Sequence, residues 1–176
     1  MGRKSKPGQA VKAMTYSAPG GGTIIDPTVE TLEPIVFKER NGYWRCGSGD
    51  SSLGVVEHRG MKQTARIEGE PALIFFLVER HGFFFIHFQP TRSITPAQFV
   101  PFAGGDCRPW VQHNIGGDSF YAPRACFVSR PFAWEVVREF LRSKGRSRAV
   151  PWVDRFTLDF PNPAAGDKPP SKKDLA

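Results

Sequence analysis

Residues 73 to 88 read LIFFLVERHGFFFIHF, which is typical of a β-hairpin at the centre of a sheet. Two apolar runs, 73–78 and 83–88, flank a polar turn at 80–82. Neither run alternates polar with apolar residues, so both faces of both strands are expected to be covered. The sequence offers one long helix, which can cover one face. We expect loops to cover the other face; the alternative is that part of it is a docking surface for a partner.

The clearest helix lies near the C-terminus, between residues 130 and 144. Ser129 is a good N-cap, and Pro131 lies in the first turn, where its missing N–H is not needed. Gly145 is expected to end the helix. The apolar residues of this segment recur at helical spacing and build a single face: Phe132, Ala133, Val136, Val137, Phe140 and Leu141.

Shorter elements are expected on both sides of the hairpin. A helical turn opens at residues 26–28 and runs through Leu32. The remaining apolar stretches predict short strands at 35–37, at 43–46 after a tight turn at 41–42, and at 53–57, 64–67, 110–114, 125–128 and 149–153. With 40% hydrophobic residues, 15 of the residues being Phe, the chain can build a real core. The sequence therefore predicts an α+β fold, a mostly antiparallel sheet of about five to seven strands packed against one main C-terminal helix.

Both ends of the chain have the composition of disordered tails. Residues 1–22 are basic and rich in Gly and Pro, with few large apolar residues, and residues 161–176 repeat this pattern. We therefore expect a disordered basic N-terminal tail at 1–22, a single α+β domain at 23–160 and a flexible C-terminal tail at 161–176. Met1 and Met14 both remain candidates for the natural start.

The formal net charge of +7 is concentrated at the N-terminus, where four basic residues have no acidic neighbour: Arg3, Lys4, Lys6 and Lys12. A nucleic-acid-binding domain usually carries a basic stripe on its folded body. A nucleic-acid-binding module that uses this tail together with exposed aromatic residues is therefore the weaker alternative.

The compartment is predicted from three features. The basic N-terminus has no apolar segment behind it, so no secretory leader is expected. No apolar run approaches the roughly 20 residues that a membrane span needs, so no membrane contact is expected. Cys46, Cys107 and Cys126 form no paired framework, which favours reduced thiols in a cytoplasmic protein.

Residues with catalytic or metal-binding chemistry are scattered. The four histidines, His58, His81, His87 and His113, and the three cysteines show no CxxC, HxH or HExxH spacing, so we predict no metal site and no cofactor. Ser48 lies between glycines but lacks the strand–turn–helix context of a nucleophile elbow. Cys107 is the one cysteine in an exposed, basic loop. A small hydrolase or transferase built on Ser48 or Cys107 is the minority interpretation, and we predict no enzyme and no catalytic residue.

Several short motifs of the C-terminal half follow one another in a distinctive order. They are Gly116-Gly117, Tyr121-Ala122-Pro123, Phe140-Leu141 followed by Gly145, and a late Trp152. This ordered set resembles the first family of bacterial polymorphic-toxin immunity proteins. The resemblance covers about residues 110 to 155 of the chain. Over residues 34–90 only the strand-rich pattern agrees.

The resemblance implies an α+β fold and a protein that binds and neutralises a cognate toxin, such as a deaminase or nuclease acting on nucleic acid, by occluding its active site. The family has no catalytic motif to transfer, and its toxin contacts differ among members. Aromatic and Arg anchors dominate tight protein interfaces. On that ground the partner-binding candidates are Tyr43, Trp44, Arg45, Arg108 and Trp110. Many immunity proteins are acidic and this chain is not, which argues against capture by charge alone.

Overall fold

The computed structural model describes residues 11–59, 62–66, 69–161, 163 and 167–176. Within these ranges the strands are β1 (Val11–Ser17), β2 (Thr23–Ile25), β3 (Ser51–Arg59), β4 (Lys62–Arg66), β5 (Ala72–Val78), β6 (Gly82–Gln89), β7 (Ala97–Pro101), β8 (Trp110–Ile115), β9 (Asp118–Pro123) and β10 (Trp152–Asp154). The helices are α1 (Val29–Lys38), α2 (Asn41–Trp44) and α3 (Arg130–Ser143). Single 3₁₀ turns occupy Arg124–Cys126, Arg155–Thr157 and Lys172–Asp174.

The large sheet has the strand order β10-β7-β6-β5-β3-β1-β2, and every neighbouring pair is antiparallel. The long strand β3 pairs with β5 through its first residues and with β4 through its last ones. A second, small sheet consists of the hairpin β8–β9. The predicted fold class is therefore confirmed in its coarse form, an α+β fold with a large antiparallel sheet and few helices.

The central hairpin carries a separate aromatic cluster on each face of the sheet. Phe75 lies opposite Phe85 in the β5–β6 register and faces the helices, and both rings stack with centroids 5.5 Å apart. Phe76 lies opposite Phe84 and faces the other way, where the second hairpin and the residues after it cover both rings through Phe120 and other aromatics. The fully apolar strands are thus covered on both sides, as expected for strands that do not alternate.

The predicted elements in the C-terminal half are largely present. α3 spans the predicted helix, its N-cap is Ser129, and it buries one apolar face against the sheet. It ends at Lys144, which takes the left-handed conformation with φ 57°, so the residue before the expected Gly145 ends the helix. β10 pairs with β7 at the sheet edge. None of the helices in the described part of the chain is long and apolar enough to cross a membrane.

The N-terminal segment departs from the expected disordered tail from residue 11 onward. β1 pairs along its whole length with β3, and Tyr16, only 1% exposed, packs against Phe75 in the core. The composition of residues 1–22 does not indicate this strand, because the strand is buried mainly through one aromatic residue and through its pairing with β3. Residues 1–10 lie outside the described residues.

Residues 34–46 form helix where strands were predicted. α1 continues through Pro34 to Lys38, and α2 replaces the expected turn at 41–42 and most of the strand at 43–46. Leu32 and Val36, one helical turn apart, are buried against α3 and the sheet. The β-branched residues of this stretch fit either structure, and burial at helical spacing decides in favour of helix.

The second hairpin pairs β8 with a strand that was not among the predicted ones. β8 pairs with β9 through a two-residue turn in which Gly116 and Gly117 have φ values of 59° and 94°. Such left-handed turns join adjacent strands directly. The predicted strand at 125–128 instead begins within a 3₁₀ turn, and its Val128 forms a bridge to Phe83 on the large sheet.

The C-terminal segment also differs from the expected flexible tail. Leu175 forms a parallel bridge to Trp110, and the Ala176 backbone N–H donates to the Trp110 carbonyl at 2.9 Å. Asp174 lies 3.9 Å from the guanidinium of Arg108. The free edge of β8 supplies the backbone acceptor that orders these last residues.

Candidate functional site

Two of the five predicted partner-binding residues lie in the core. Trp44 is 0% exposed and packs edge-on against Phe83 with ring centroids 5.3 Å apart. Trp110 is 6% exposed, and its Nε1 donates to the Asp159 carbonyl at 3.5 Å. Neither indole has enough free surface to anchor a partner, so both choices are corrected by the structure.

The third aromatic candidate, Tyr43, is half-buried and belongs to a hydroxyl network. Its Oη lies 2.6 Å from that of Tyr16, which in turn lies 2.8 Å from the Ser51 Oγ. Burial raises the pKa of each tyrosine above the ordinary value, and more strongly for Tyr16 than for Tyr43. Both phenols therefore stay neutral, and the network joins β1, α2 and β3 as a structural element.

The two arginine candidates are exposed but lie at different places along β8. Arg45 follows α2 and lies beside the second half of β8, where it lines a cleft. Arg108 precedes the first residue of β8, lies 5.2 Å from the ring centroid of Trp110 and is near Asp174. The two arginines therefore belong to two different surfaces.

The cleft beside Arg45 has a volume of about 490 Å³ and opens between α2, the end of β5 and β8. Its apolar part comes from Leu77 and Val78. Its polar part comes from two side-chain amides on β8, one on α2, an imidazole and a guanidinium: Gln112, Asn114, Asn41, His113 and Arg45. We call this site the polar cleft. Asn41 is fixed there by donating from Nδ2 to Glu79 at 2.6 Å.

The wall of the polar cleft is held in place by the loop of residues 45–50. The Ser48 N–H donates to the Pro19 carbonyl at 2.9 Å, and the Ser48 carbonyl accepts from the Gly116 N–H at 2.8 Å. Gly49 has φ +80°, and a Cβ there would lie 2.2 Å from the Asn114 carbonyl oxygen. Only glycine permits this approach, so the sequence Gly-Ser-Gly is required for packing between the first strands and β8.

His113 anchors the same wall from the other side. Its Nε2 lies 2.6 Å from the Gly49 carbonyl, and its ring stacks on Phe76 with centroids 4.2 Å apart. Because a carbonyl oxygen only accepts, Nε2 must carry the proton. Burial lowers the pKa of His113, helped by the nearby charge of Arg45. The imidazole is therefore neutral at pH 7 and serves as a rigid spacer.

The residues proposed for catalysis are not brought together. The Ser48 Oγ donates to backbone carbonyls, those of Asp50 at 3.1 Å and Pro19 at 3.4 Å. Burial raises the pKa of Cys126 to about 12, so that thiol stays protonated, and Cys107 is half-buried in its loop. Among the described residues, no three His, Cys, Asp or Glu side chains are grouped to hold a metal ion.

A second cleft, of about 660 Å³, lies where α3 ends, and the sequence interpretation missed it. It is lined by three cations that alternate along the chain, Lys144, Arg146 and Arg148, and by His87 and Trp152 among others. We call it the basic cleft. The sequence RSKGRSR at 142–148 carries four cations and no acid, but a helix ends in the same stretch, and the sequence alone does not show that these cations meet in one cleft.

Comparison of the chain with models of protein families, with curated proteins and with solved structures finds no match. The resemblance to the toxin-immunity family therefore stays a prediction.

Proposed function

We propose that this protein is an immunity protein that binds a cognate bacterial toxin and occludes its active site, with the polar cleft at the centre of the contact surface. One observation carries the location. The cleft combines an apolar floor with a polar rim and one exposed arginine, in a wall held by fixed hydrogen bonds. A protein-binding hot spot has this anatomy, an apolar centre surrounded by polar groups that exclude water.

The resemblance supports the same location. Gly116 and Gly117, the first of its motifs, form the turn of the hairpin whose strand β8 carries Gln112 and Asn114. These amides can both donate and accept hydrogen bonds, which suits a polypeptide surface better than a simple charged ligand. Since the wall is already ordered, binding loses little conformational entropy, and more of the contact energy appears as affinity.

Arg45 is the expected anchor in this surface. Its side chain is exposed beside the apolar floor, whereas Arg108 is already engaged with Trp110 and Asp174. A guanidinium can form two parallel hydrogen bonds to a carboxylate of the partner. Arg45 therefore offers more unused binding capacity than Arg108.

The test uses the polypeptide encoded by the neighbouring reading frame as partner and measures affinity by isothermal titration calorimetry. We expect a one-to-one complex that Arg45→Ala weakens by about 30-fold or more, as for a hot-spot residue. Arg108→Ala is the matched control, since it also removes one exposed guanidinium from a segment flanking β8, and it should change the affinity by less than about threefold.

Co-expression gives a second readout. The unaltered protein should restore growth of cells that produce the toxin, and Arg45→Ala should restore it poorly. Absence of any complex at micromolar concentrations contradicts the proposed function. If Arg108→Ala weakens the complex and Arg45→Ala does not, the proposed function still holds, but the contact surface lies at the other end of β8.

A further inference from the structure

The basic cleft concentrates positive charge on the folded body. Lys144, Arg146 and Arg148 line it together. The carboxylate of Glu70 lies 3.2 Å from Lys144 and 3.5 Å from Lys12, so one acid is shared between two cations. Among the described residues, the three lining cations therefore outnumber the two acids near them, Glu70 and Glu139, and Glu139 pairs with Arg142 as well as interacting with Arg148.

The cations are fixed in place by the loop that follows α3. The Arg146 guanidinium lies 3.7 Å from the ring centroid of Phe99, which orients it by cation–π attraction. Trp152 donates from Nε1 to the Ser147 carbonyl at 2.8 Å, so β10 ties the loop down between the last two cations. The cleft is thus a preformed feature, since two separate strands hold its wall.

His87 gives an independent indication of a ligand. It is 3% exposed and lines the cleft, and its Nε2 lies 3.1 Å from the Lys144 carbonyl. Because that carbonyl accepts, Nε2 carries the proton of the neutral ring, and Nδ1 is left as a buried acceptor with no partner among the described residues. An unpaired buried polar atom is costly and calls for a missing partner.

We propose that the basic cleft is a binding site for a tetrahedral oxyanion of the phosphate and sulfate class, held by Lys144, Arg146 and Arg148 and by His87 donating from Nδ1. Guanidinium and ammonium groups provide charge-assisted donors to such oxygens. When His87 is protonated, its Nδ1 becomes a hydrogen-bond donor, and an oxygen of the anion accepts that hydrogen bond. This site is separate from the polar cleft and does not depend on the toxin-binding proposal.

The site couples anion binding to proton uptake. Among the described residues, the charged groups that line the cleft with His87 are Lys144, Arg146 and Arg148. Glu70 and its second partner Lys12 lie beside Lys144, and Glu139 lies near Arg148. The ring neighbours of His87, Phe140 and Trp152, are uncharged. In the free protein, burial lowers the pKa of His87, with a smaller contribution from the charge of Arg146, and together they outweigh the hydrogen bonds to backbone carbonyls that raise this pKa, so the ring is neutral at pH 7. A bound anion favours the protonated ring and raises that pKa. Affinity therefore increases as the pH falls, by at most about tenfold per pH unit for one proton.

Sulfate is the probe, because it stays a dianion between pH 5 and pH 8 and does not add a titration of its own. Binding to the full chain is measured by calorimetry and by NMR shifts, with chloride replaced to keep the ionic strength constant. We expect saturable binding at one site, with higher affinity at pH 5.5 than at pH 7.5.

The variants separate the site from general charge attraction. Arg148→Gln removes an exposed cleft cation and should weaken sulfate binding about tenfold or more. Arg138→Gln makes the same change of charge on the outer side of α3, where Arg138 pairs with Glu135, and should change it less than about twofold. His87→Gln can still donate to the Lys144 carbonyl and should flatten the pH dependence.

The proposal is overturned if sulfate binding does not saturate or if Arg138→Gln weakens it as much as Arg148→Gln. Two further probes identify the source of the oxyanion. Inorganic phosphate that competes with sulfate indicates a free anion, and a 5′-phosphorylated oligonucleotide that competes better than its unphosphorylated counterpart indicates a nucleic-acid end; both outcomes support the site. Oligonucleotide binding that sulfate does not displace and that Arg148→Gln does not weaken counts against it.

Discussion

The glycines of the loop at 45–50 determine how closely that loop approaches β8. We predict that Gly49→Ala costs on the order of 3–5 kcal/mol of unfolding free energy, because a Cβ would meet the Asn114 carbonyl at 2.2 Å and the residue has φ +80°. Gly117→Ala is the matched control, with φ +94° and no atom of the described residues within 4 Å of its Cβ. It should cost only the backbone strain, about 1–2 kcal/mol. Chemical denaturation measures both, and equal costs would show that the close approach is not required.

Residue identity alone could not separate surface anchors from core residues. Trp44 and Trp110 stand beside arginines in the sequence, as interface aromatics often do. Both are nevertheless buried, because Trp44 fills a gap between α2 and β5, and Trp110 is covered by chain from near the C-terminus. His113 shows the reverse case, since nothing in its neighbourhood of the sequence indicates a contact with Gly49, 64 residues away.

The C-terminal end of α1 is stabilised by a residue at the start of α3. The Arg130 guanidinium donates to the carbonyls of Val36 and Glu39, the latter at 3.0 Å, and lies over the ring of Phe83. It satisfies carbonyls that the last turn of a helix leaves unpaired and places a cation at the negative end of the helix dipole.

We therefore predict that Arg130→Met lowers the free energy of unfolding by about 2–3 kcal/mol, the range for charged hydrogen bonds that are partly buried. The control is Arg138→Met on the exposed face of α3, which removes an ion pair with Glu135 and should cost less than about 0.5 kcal/mol. Denaturation followed by circular dichroism measures both values. If both variants lose a similarly small amount of unfolding free energy, water satisfies the last carbonyls of α1 as effectively as Arg130 does.

The same contact explains how far the elements could be predicted. The β5–β6 hairpin and α3 followed from the sequence because each has a strong local pattern, an apolar run around a turn or an apolar face at helical spacing. Residues 35–37 have no such pattern, since Ile, Val and Phe after a proline suit a strand at least as well as a helix. The deciding contacts come from Arg130, 94 residues away from Val36, and from the burial of Trp44.

Segments near both ends of the chain complete the fold. β1 joins the large sheet between β3 and β2, and the last residues extend the small sheet through Leu175. Composition treats such segments as tails because they contain few large apolar residues. A strand needs little more than a partner with a free edge, and the sequence gives no local sign of where that edge lies.

The role of the N-terminal strand can be tested at Met14, one of the two candidate starts. A chain that begins there lacks Val11, Lys12 and Ala13, three of the seven residues of β1 that pair with β3. It also loses the Lys12–Glu70 ion pair and the burial of Ala13. Removing these backbone hydrogen bonds should cost about 2–3 kcal/mol of unfolding free energy, taking roughly 1 kcal/mol for each paired residue.

The reference is a chain that begins at Val11 behind an initiator methionine, which keeps every pair of β1. Thermal and chemical denaturation compare the stability of the two chains. Equal stability would mean that the first half of β1 contributes nothing to the sheet, and that a start at Met14 leaves the fold intact.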